Sequence, residues 1–403
     1  MSATIDVDLS DPARYLRGEP HDVWRVLREQ APVHWQAGDG RQPGYWSVTT
    51  YRAVERVLKD PAVFSSEGGT ILGMRGRPEP AAGHQFVTTD PPRHTELRRP
   101  VQQLLTNAMI GGRGDGYRQE IDRLLRTMPA GVPFDLTTVT AHLPRIALGP
   151  LLGIPEADWP RLERLMCMVK AETEPEYMLP GGPQATLDRA HRELFAYLLD
   201  LVARQRRDPQ PGTLVAALLG LAVGGRPLGA GAVVANCYDL LSGAVAVLGE
   251  VPNVTIAHLA GNGGYAAWAG RPELLRSGVE EALRWACPAR HLMRRATEPV
   301  SLEGVRIDAG DAVVAWLGSA NRDENRFARP DVFDPARSPN RHLSFGAGPH
   351  TCIGAALARA VLQAFFAALF DRFADVQISD EVRRVRSNWL AGISKLVVRG
   401  TPR

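Results

Sequence analysis

Residues 344–370, SFGAGPHTCIGAALARAVLQAFFAALF, join two segments that cannot share one backbone conformation. Before Cys352, glycine and proline recur at short intervals and prevent a regular helix or strand. After Gly354, an alanine- and leucine-rich run without a helix breaker predicts a long helix. Cys352 is therefore predicted on the first helical turn, at the end of a loop that can closely approach a flat partner. Free N–H groups at a helix start favour an anion, so we expect a thiolate with a lowered pKa.

For a lone cysteine the alternative is a buried, inert side chain, because free cysteine is commonly buried. The surrounding residues decide between the two. FGAGPHTCIGAALAR, residues 345–359, resembles the haem-binding loop of the cytochrome P450 family at nine positions in one register. The resemblance implies haem b as the cofactor, with Cys352 as the thiolate ligand of its iron. It also implies that Phe345 and His350 belong to the cofactor site, with His350 bonded to a haem propionate.

The order of elements along the chain predicts one α-dominated domain with a minor β part. Helical periodicity dominates from residue 93 to about 286, and strand-like alternation marks residues 32–36, 44–51 and 299–317. The tail, residues 387–400, resembles a β-hairpin. Because no repeat or flexible linker divides the 403 residues, we expect a single large domain over 1–403. The family resemblance implies the cytochrome P450 fold for that domain.

Composition excludes several functional classes. A net charge of +3 without a lysine or arginine block does not favour nucleic-acid binding. The start of the chain lacks a basic-then-apolar layout, and no run of eighteen apolar residues occurs, so we expect neither signal peptide nor membrane anchor. The four cysteines are far apart and form no CxxC pair, which fits a reducing cytoplasm better than disulfides or zinc.

Three basic residues are candidates for the haem propionates. The segment TTDPPRHTELRR, residues 88–99, resembles a family segment in which a histidine and an arginine reach propionates, here His94 and Arg98. Arg294 is the third candidate, although its neighbour Arg295 leaves the register open by one. Arginine suits this role because its paired donors hold a carboxylate and its charge persists when partly buried. The alternative is a set of solvent-exposed charges.

Glu281 and Arg284 lie three residues apart on a predicted helix, so they can form an ion pair. The same spacing recurs elsewhere, and only three of the 47 basic residues are lysines, so the spacing alone carries little information. Their place in the family pattern selects this pair. The resemblance implies a buried network of Glu281, Arg284 and Arg337 that supports the haem loop, a structural role.

Residues 236–253, NCYDLLSGAVAVLGEVPN, correspond to the family's central helix, which crosses the oxygen side of the haem. Family members usually carry a small-residue kink there, followed by an acid and an alcohol that relay protons. Alignment places Ser242–Gly243 at the kink and the acid–alcohol positions at Val245 and Ala246, so both polar groups are missing. Gly243, Val245 and Ala246 are accordingly the candidate catalytic positions of an atypical helix.

Glu250 offers a relay one turn further along, but a helix-end or solvent-facing glutamate is the favoured alternative. Pro252 also predicts a kink or break near residue 248.

Three mechanisms remain open at this point. A polar group of the substrate completes the proton relay in an ordinary monooxygenation, or hydrogen peroxide replaces dioxygen and reductant. In the third, hydrogen abstraction is followed by ring closure or coupling. We favour substrate-assisted chemistry in a biosynthetic pathway. A catalytically silent haem-binding relative that activates another enzyme is the alternative from a different class.

Resemblance places the substrate against the central helix, the segment after the Glu281 helix, and the tail turn. Residues 67–86 are expected to form part of a lid. Arg290 would favour an anionic substrate group if it lines the pocket, and an outward-pointing arginine is the alternative. The candidate substrate residues are Tyr238, Leu241, Ser242, Ala289, Arg290, Leu390 and Ile393.

The expected partners are a small-molecule substrate and a separate ferredoxin with its reductase, or hydrogen peroxide, because no reductase domain is expected in this chain. Arg359 is a candidate for steering an acidic ferredoxin.

Overall fold

The computed structural model describes residues 7–40, 42–106, 110, 113–170 and 172–403. Residues 1–6, on which part of the prediction about a signal peptide depends, lie outside the described residues. The described helices are α1 His21–Gln30, α2 Tyr51–Lys59, α3 Arg93–Leu104, α4 Gly114–Arg126, α5 Thr137–Thr140, α6 Leu143–Leu152, α7 Trp159–Lys170, α8 Gly182–Arg207, α9 Leu214–Leu219, α10 Ala230–Val247, α11 Glu250–Leu259, α12 Gly264–Ala269, α13 Leu275–Ala286, α14 Leu317–Ala320 and α15 Ala355–Arg372.

The strands form small sheets beside the helices. They are β1 Val33–Gln36, β2 Tyr45–Val48, β3 Phe64–Ser65, β4 Phe134–Asp135, β5 Ala222–Val223, β6 Arg226–Pro227, β7 His291–Ala296, β8 Val300–Leu302, β9 Val305–Ile307, β10 Ala312–Trp316, β11 Phe373–Ile378, β12 Arg383–Arg384, β13 Ile393–Lys395 and β14 Val397–Pro402. The largest sheet has the order β1-β2-β10-β7-β3, and a second has the order β11-β14-β4. The helical domain with a minor β part is confirmed.

Helix α10 lies at the centre and packs against α6, α7, α8 and α9. With α11 it forms the stretch Ala230–Leu259, which contains an 18-residue window of mean hydropathy 1.6 and is long enough to cross a membrane. Half of that window is buried inside the protein, as in the core helix of a globular domain.

The predicted break in the central helix is confirmed. Helix α10 ends at Val247 and α11 begins at Glu250. Pro252 is therefore the third residue of α11, where its missing N–H breaks no helical hydrogen bond. Between the helices, Gly249 lies so close to α5 that a Cβ atom would be 2.8 Å from the Thr140 carbonyl oxygen. A glycine is required here by the close approach of two backbones.

Two sequence predictions differ from the structure. The tail is not a hairpin closed on itself, because β13 pairs with β12 and β14 pairs with β11. Helix α15 begins at Ala355, with Gly354 as its N-cap, so Cys352 lies in the loop just before the helix. Alternating apolar residues do predict strands in the tail, but local sequence does not specify their distant partners.

Candidate functional site

The loop before α15 holds Cys352 by backbone geometry. The Cys352 N–H donates to the Phe345 carbonyl at 2.7 Å, which closes the loop. Gly346 and Gly348 have positive φ angles of 68° and 72°, a region that favours glycine. A Cβ atom on Gly348 would lie 2.6 Å from the Leu58 carbonyl oxygen at the end of α2. The loop therefore packs against α2 while the Cys352 side chain remains accessible.

The environment of the thiol differs from the expected one. Burial by surrounding protein raises the pKa of Cys352, whereas the N–H of Gly354 and the positive charges of Arg98 and Arg359 act to lower it. The predicted lowering of the thiol pKa is wrong for the protein chain alone, because desolvation outweighs the favourable contacts.

Basic side chains gather beside this loop, and among the described residues they lack carboxylate partners. His94 is 2% exposed, and neither of its ring nitrogens has a hydrogen-bond partner in that part of the chain. Burial, together with the charges of His350 and Arg98, lowers the pKa of His94 to about 4. Arg98 donates to the Thr351 carbonyl, and burial lowers its pKa. Thr351 directly precedes the cysteine, so these donors lie next to it.

Arg294 completes this group. It is 3% exposed, whereas Arg295 is exposed, so the register that the sequence left open favours Arg294. Within the described part of the chain its guanidinium donates only to the Met293 carbonyl, and burial lowers its pKa to about 10. An uncompensated buried arginine is costly, so the donors of Arg294, Arg98 and His94 fit an anionic group that the chain itself does not provide. A flat cofactor that carries two carboxylates and binds next to the accessible thiol would supply this anionic group.

His350 lies differently from the expectation. Its Nε2 is 3.3 Å from Ser66 Oγ and 3.7 Å from Asp90 Oδ1, and its ring centroid is 4.2 Å from that of His94. Asp90 also accepts hydrogen bonds from the backbone and hydroxyl of Ser66, and its pKa lies below the ordinary range because the hydrogen bonds outweigh burial. One ring nitrogen of His350 therefore has protein partners, and its bond to a propionate stays a prediction.

The structure brings Glu281, Arg284 and Arg337 together. Arg284 donates from Nε and Nη2 to the two Glu281 oxygens, each at 2.8 Å, and both side chains are fully buried. Arg337 Nε lies 3.1 Å from Glu281 Oε2, and Asn340 Nδ2 donates to the same oxygen at 3.0 Å. These contacts fasten α13 to the segment that leads into the cysteine loop.

The central helix α10 presents Gly243 as an accessible residue at the predicted kink. A Cβ atom on Gly243 would have no neighbouring atom within 4 Å, so the helix borders open space there. Val245 and Ala246 are buried and apolar. The Ser242 hydroxyl donates to the Asp239 carbonyl at 3.3 Å. The acid–alcohol positions predicted from the alignment thus carry no proton-transferring group.

Glu250 is a helix-end glutamate, but it does not face solvent. It is buried, and its carboxylate accepts from the Ile393 N–H at 3.0 Å and from Asn253 at 3.3 Å. Lys170 Nζ lies 3.6 Å from its other oxygen. Glu250 therefore connects the break in the central helix to the tail.

Arg290 is not available to an anionic substrate. It is 1% exposed and forms a two-point ion pair with Glu19 at 2.6 and 2.7 Å. It also donates to the carbonyls of Ser387 and Leu390, and its guanidinium lies 4.4 Å from the Tyr15 ring centre. Neither predicted alternative holds for Arg290, because its side chain does not point outward and Glu19 neutralises its charge.

Some of the other predicted substrate residues are buried, and others remain accessible. Leu241, Leu390 and Ile393 are buried in the core, whereas Tyr238, Ser242 and Ala289 retain accessible surface. Ala289 and Leu390 form a β-bridge, so the segment after α13 and the tail turn do meet. Tyr238 contacts α8, with its hydroxyl 3.1 Å from His191 Nε2 and its ring stacked on Phe195.

Sequence reasoning missed several charged partners. Glu280 binds Arg359 at 2.7 Å and His342 at 3.2 Å, so the arginine proposed for steering a ferredoxin is already paired. Glu19 was also missed, and Asp90 was given no role although it lies within the quoted segment at residues 88–99. No local motif marks Glu280 or Glu19, because their partners are distant in sequence.

An accessible cysteine at a glycine-rich loop, with buried and half-buried basic side chains beside it, is the arrangement of a haem-thiolate protein. The family model "Cytochrome P450" matches residues 271–396. The chain belongs to the cytochrome P450 family, whose cofactor is haem b.

Relatives match over nearly the whole chain. The "Putative cytochrome P450 126" of Mycobacterium tuberculosis is 36% identical over 419 aligned positions, covering 97% of each chain. Linalool 8-monooxygenase of Pseudomonas putida is 30% identical, covering 97% of this chain and 98% of the relative. The crystal structure of P450 OxyD, involved in the biosynthesis of vancomycin-type antibiotics, superposes with a TM-score of 0.89 at 31% identity, covering 98% of this chain and all of that one.

Proposed function

We propose that this protein oxidises a small-molecule biosynthetic intermediate, by hydroxylation or by oxidative ring closure or coupling. The observation that carries the proposal is the group formed by the buried His94 and Arg294 and the half-buried Arg98 beside the accessible Cys352. These residues suit a dianionic cofactor and its metal. Similarity to OxyD supports a biosynthetic substrate, and similarity to linalool 8-monooxygenase supports oxygen insertion.

Haem held by Cys352 would supply the oxidising chemistry, which a thiolate ligand supports. The remaining roles belong to the chain. His94, Arg98 and Arg294 bind and orient the two propionates. Gly354 donates a backbone N–H toward the sulfur and favours its anionic form. The Glu281 network maintains the position of the loop.

Proton delivery is the step for which the central helix lacks the usual groups. Val245 and Ala246 are apolar, so we propose that a hydroxyl, carboxylate or amide of the substrate completes the relay. Peroxide-driven turnover is the second route. Electrons for the first route come from a separate ferredoxin and reductase, in a reducing cytoplasm.

A haem-binding relative without catalysis, acting as partner of another enzyme, is the second candidate function. The apolar acid–alcohol positions favour it. The Cys352 loop and the propionate donors fit both candidates, since each binds haem, and the similarity to linalool 8-monooxygenase favours the enzyme.

The spectrum of the reduced, carbon monoxide-bound protein tests the proposal first. We expect the far-shifted Soret band of thiolate ligation, lost in Cys352→Ser and retained in Cys167→Ala, a free cysteine elsewhere. A nitrogen-ligated spectrum would refute the assignment.

Turnover of candidate substrates with a ferredoxin system and with peroxide then separates the routes. Product from peroxide alone contradicts the substrate-assisted dioxygen route, and the absence of product from both favours the silent relative.

A further inference from the structure

Asp239 is a half-buried carboxylic acid on the central helix that the proposed chemistry leaves without a role. Its Oδ2 atom has no hydrogen-bond partner among the described residues. Burial raises the pKa of Asp239 well above its ordinary value, the Val87 N–H opposes this effect, and the Glu79 carboxylate adds to it. No arginine, lysine or histidine of the described chain contributes. A carboxylate kept in this environment is destabilised unless a cation or donor approaches it.

Asp239 lies on the same face of α10 as Gly243. It precedes Gly243 by four residues, so the two lie one helical turn apart. Gly243 is accessible, and the space next to it is open. Asp239 itself is half-buried, and its Oδ2 atom has no partner in the described chain.

Neighbouring polar groups of the predicted substrate region already have partners. Tyr238 bonds to His191, Ser242 donates to a backbone carbonyl, and Arg290 is neutralised by Glu19. Glu79 resembles Asp239, because its Oε2 is likewise buried without a partner in the described chain. The polar atoms without partners here are thus carboxylate oxygens, which favour a cation or hydrogen-bond donors from a ligand. An available Arg290 would instead have favoured an anion.

We propose that Asp239 is a specificity-determining residue that pairs with an amine or other cationic group of the substrate, with Glu79 opposite. This inference rests on the proposed function, since it concerns the substrate of the same site. A cationic group in this position forms an ion pair with the Asp239 carboxylate. The pair orients the substrate from one helical turn before Gly243.

Binding of a matched pair of probes to the holoprotein tests the inference without knowledge of the substrate. Benzoylcholine carries a quaternary ammonium that cannot ligate iron, and 3,3-dimethylbutyl benzoate replaces its charged nitrogen with carbon. Affinities are measured by haem spectral titration and by equilibrium dialysis. We expect the wild-type protein to prefer the cation, and Asp239→Asn to lose about 30-fold of the cation affinity, equivalent to about 2 kcal/mol, without changing that of the ester.

Glu79→Gln is the second variant and should also weaken cation binding. Asp115→Asn, at an exposed position of α4, controls for the loss of one negative charge and should change neither affinity. Equal affinities in the wild type, absence of cation binding, or a preference that survives in Asp239→Asn would overturn the inference. The carbon monoxide spectrum of each preparation is recorded first. A normal thiolate spectrum with no cation preference removes the role of Asp239 alone, whereas an abnormal wild-type spectrum removes the proposed function.

Discussion

Replacement of Arg290 by methionine should destabilise the protein strongly. Arg290 is almost completely buried, and its guanidinium is 2.6 and 2.7 Å from the two oxygens of Glu19. The variant leaves that carboxylate without its cation and two tail carbonyls, of Ser387 and Leu390, without their donor. Breaking one side of a buried ion pair costs about 3–5 kcal/mol. We expect this loss in the free energy of unfolding, measured by urea denaturation of the holoprotein.

A double-mutant cycle distinguishes the ion pair from general damage. Glu19→Gln alone should also destabilise, since it leaves a buried guanidinium facing a neutral amide. The double variant should then be about 2 kcal/mol more stable than the sum of the single effects predicts, because contacting charges are coupled. Additive effects would refute the ion-pair reasoning. A stable Arg290→Met protein that loses affinity for carboxylate ligands would instead restore the substrate-pocket role.

Three further predictions concern the support of the cysteine loop. Glu281→Ala leaves Arg284 buried without its carboxylate, so we expect a loss of about 3–5 kcal/mol in unfolding free energy and faster haem release, measured by denaturation and by transfer to an acceptor protein. Gly348→Ala should lower the unfolding free energy by about 2 kcal/mol, because the added Cβ would meet a carbonyl of α2 at a residue with positive φ. The control Gly116→Ala in α4, where a Cβ has no neighbour within 4 Å, should raise it by up to about 1 kcal/mol, and thermal unfolding measures both. Hydrogen bonds to histidine and arginine outweigh burial and lower the pKa of Glu280 to about 2. Its contribution to the unfolding free energy, about 2–3 kcal/mol, is therefore present above pH ~4.3 and disappears as the pH falls towards 2. The unfolding free energies of Glu280→Gln and the wild type should converge in acid, and a difference that stays constant with pH would contradict the assignment.

Much of the site could be predicted from short segments. The Cys352 loop depends on glycines whose conformations are local, and two of them do have positive φ angles. The break near residue 248 follows from Pro252, which cannot continue a helix interior. The buried position of Glu281 followed from the family pattern, because residue spacing alone did not separate it from similar pairs on the surface.

Long-range partners account for what sequence reasoning missed. Glu19 and Arg290 are separated by 271 positions, and nothing near either residue identifies the other. The tail strands likewise pair with β11 and β12 rather than with each other. Alternation of side chains specifies which face of a strand is buried, but the choice of partner depends on how the whole chain closes.

A buried charged residue that has a partner within the chain supports the fold, whereas one without such a partner is a candidate for ligand binding. Arg290 and Arg294 are four positions apart, both are buried, and they have the same side-chain chemistry. Arg290 meets Glu19, so its charge is satisfied within the chain. Arg294 donates only to a backbone carbonyl in the described structure, so its charge requires an anion from outside. The same criterion assigns Glu250 to structural support and Asp239 to ligand binding, since burying a charge without a partner is expensive and persists only where a ligand compensates for it.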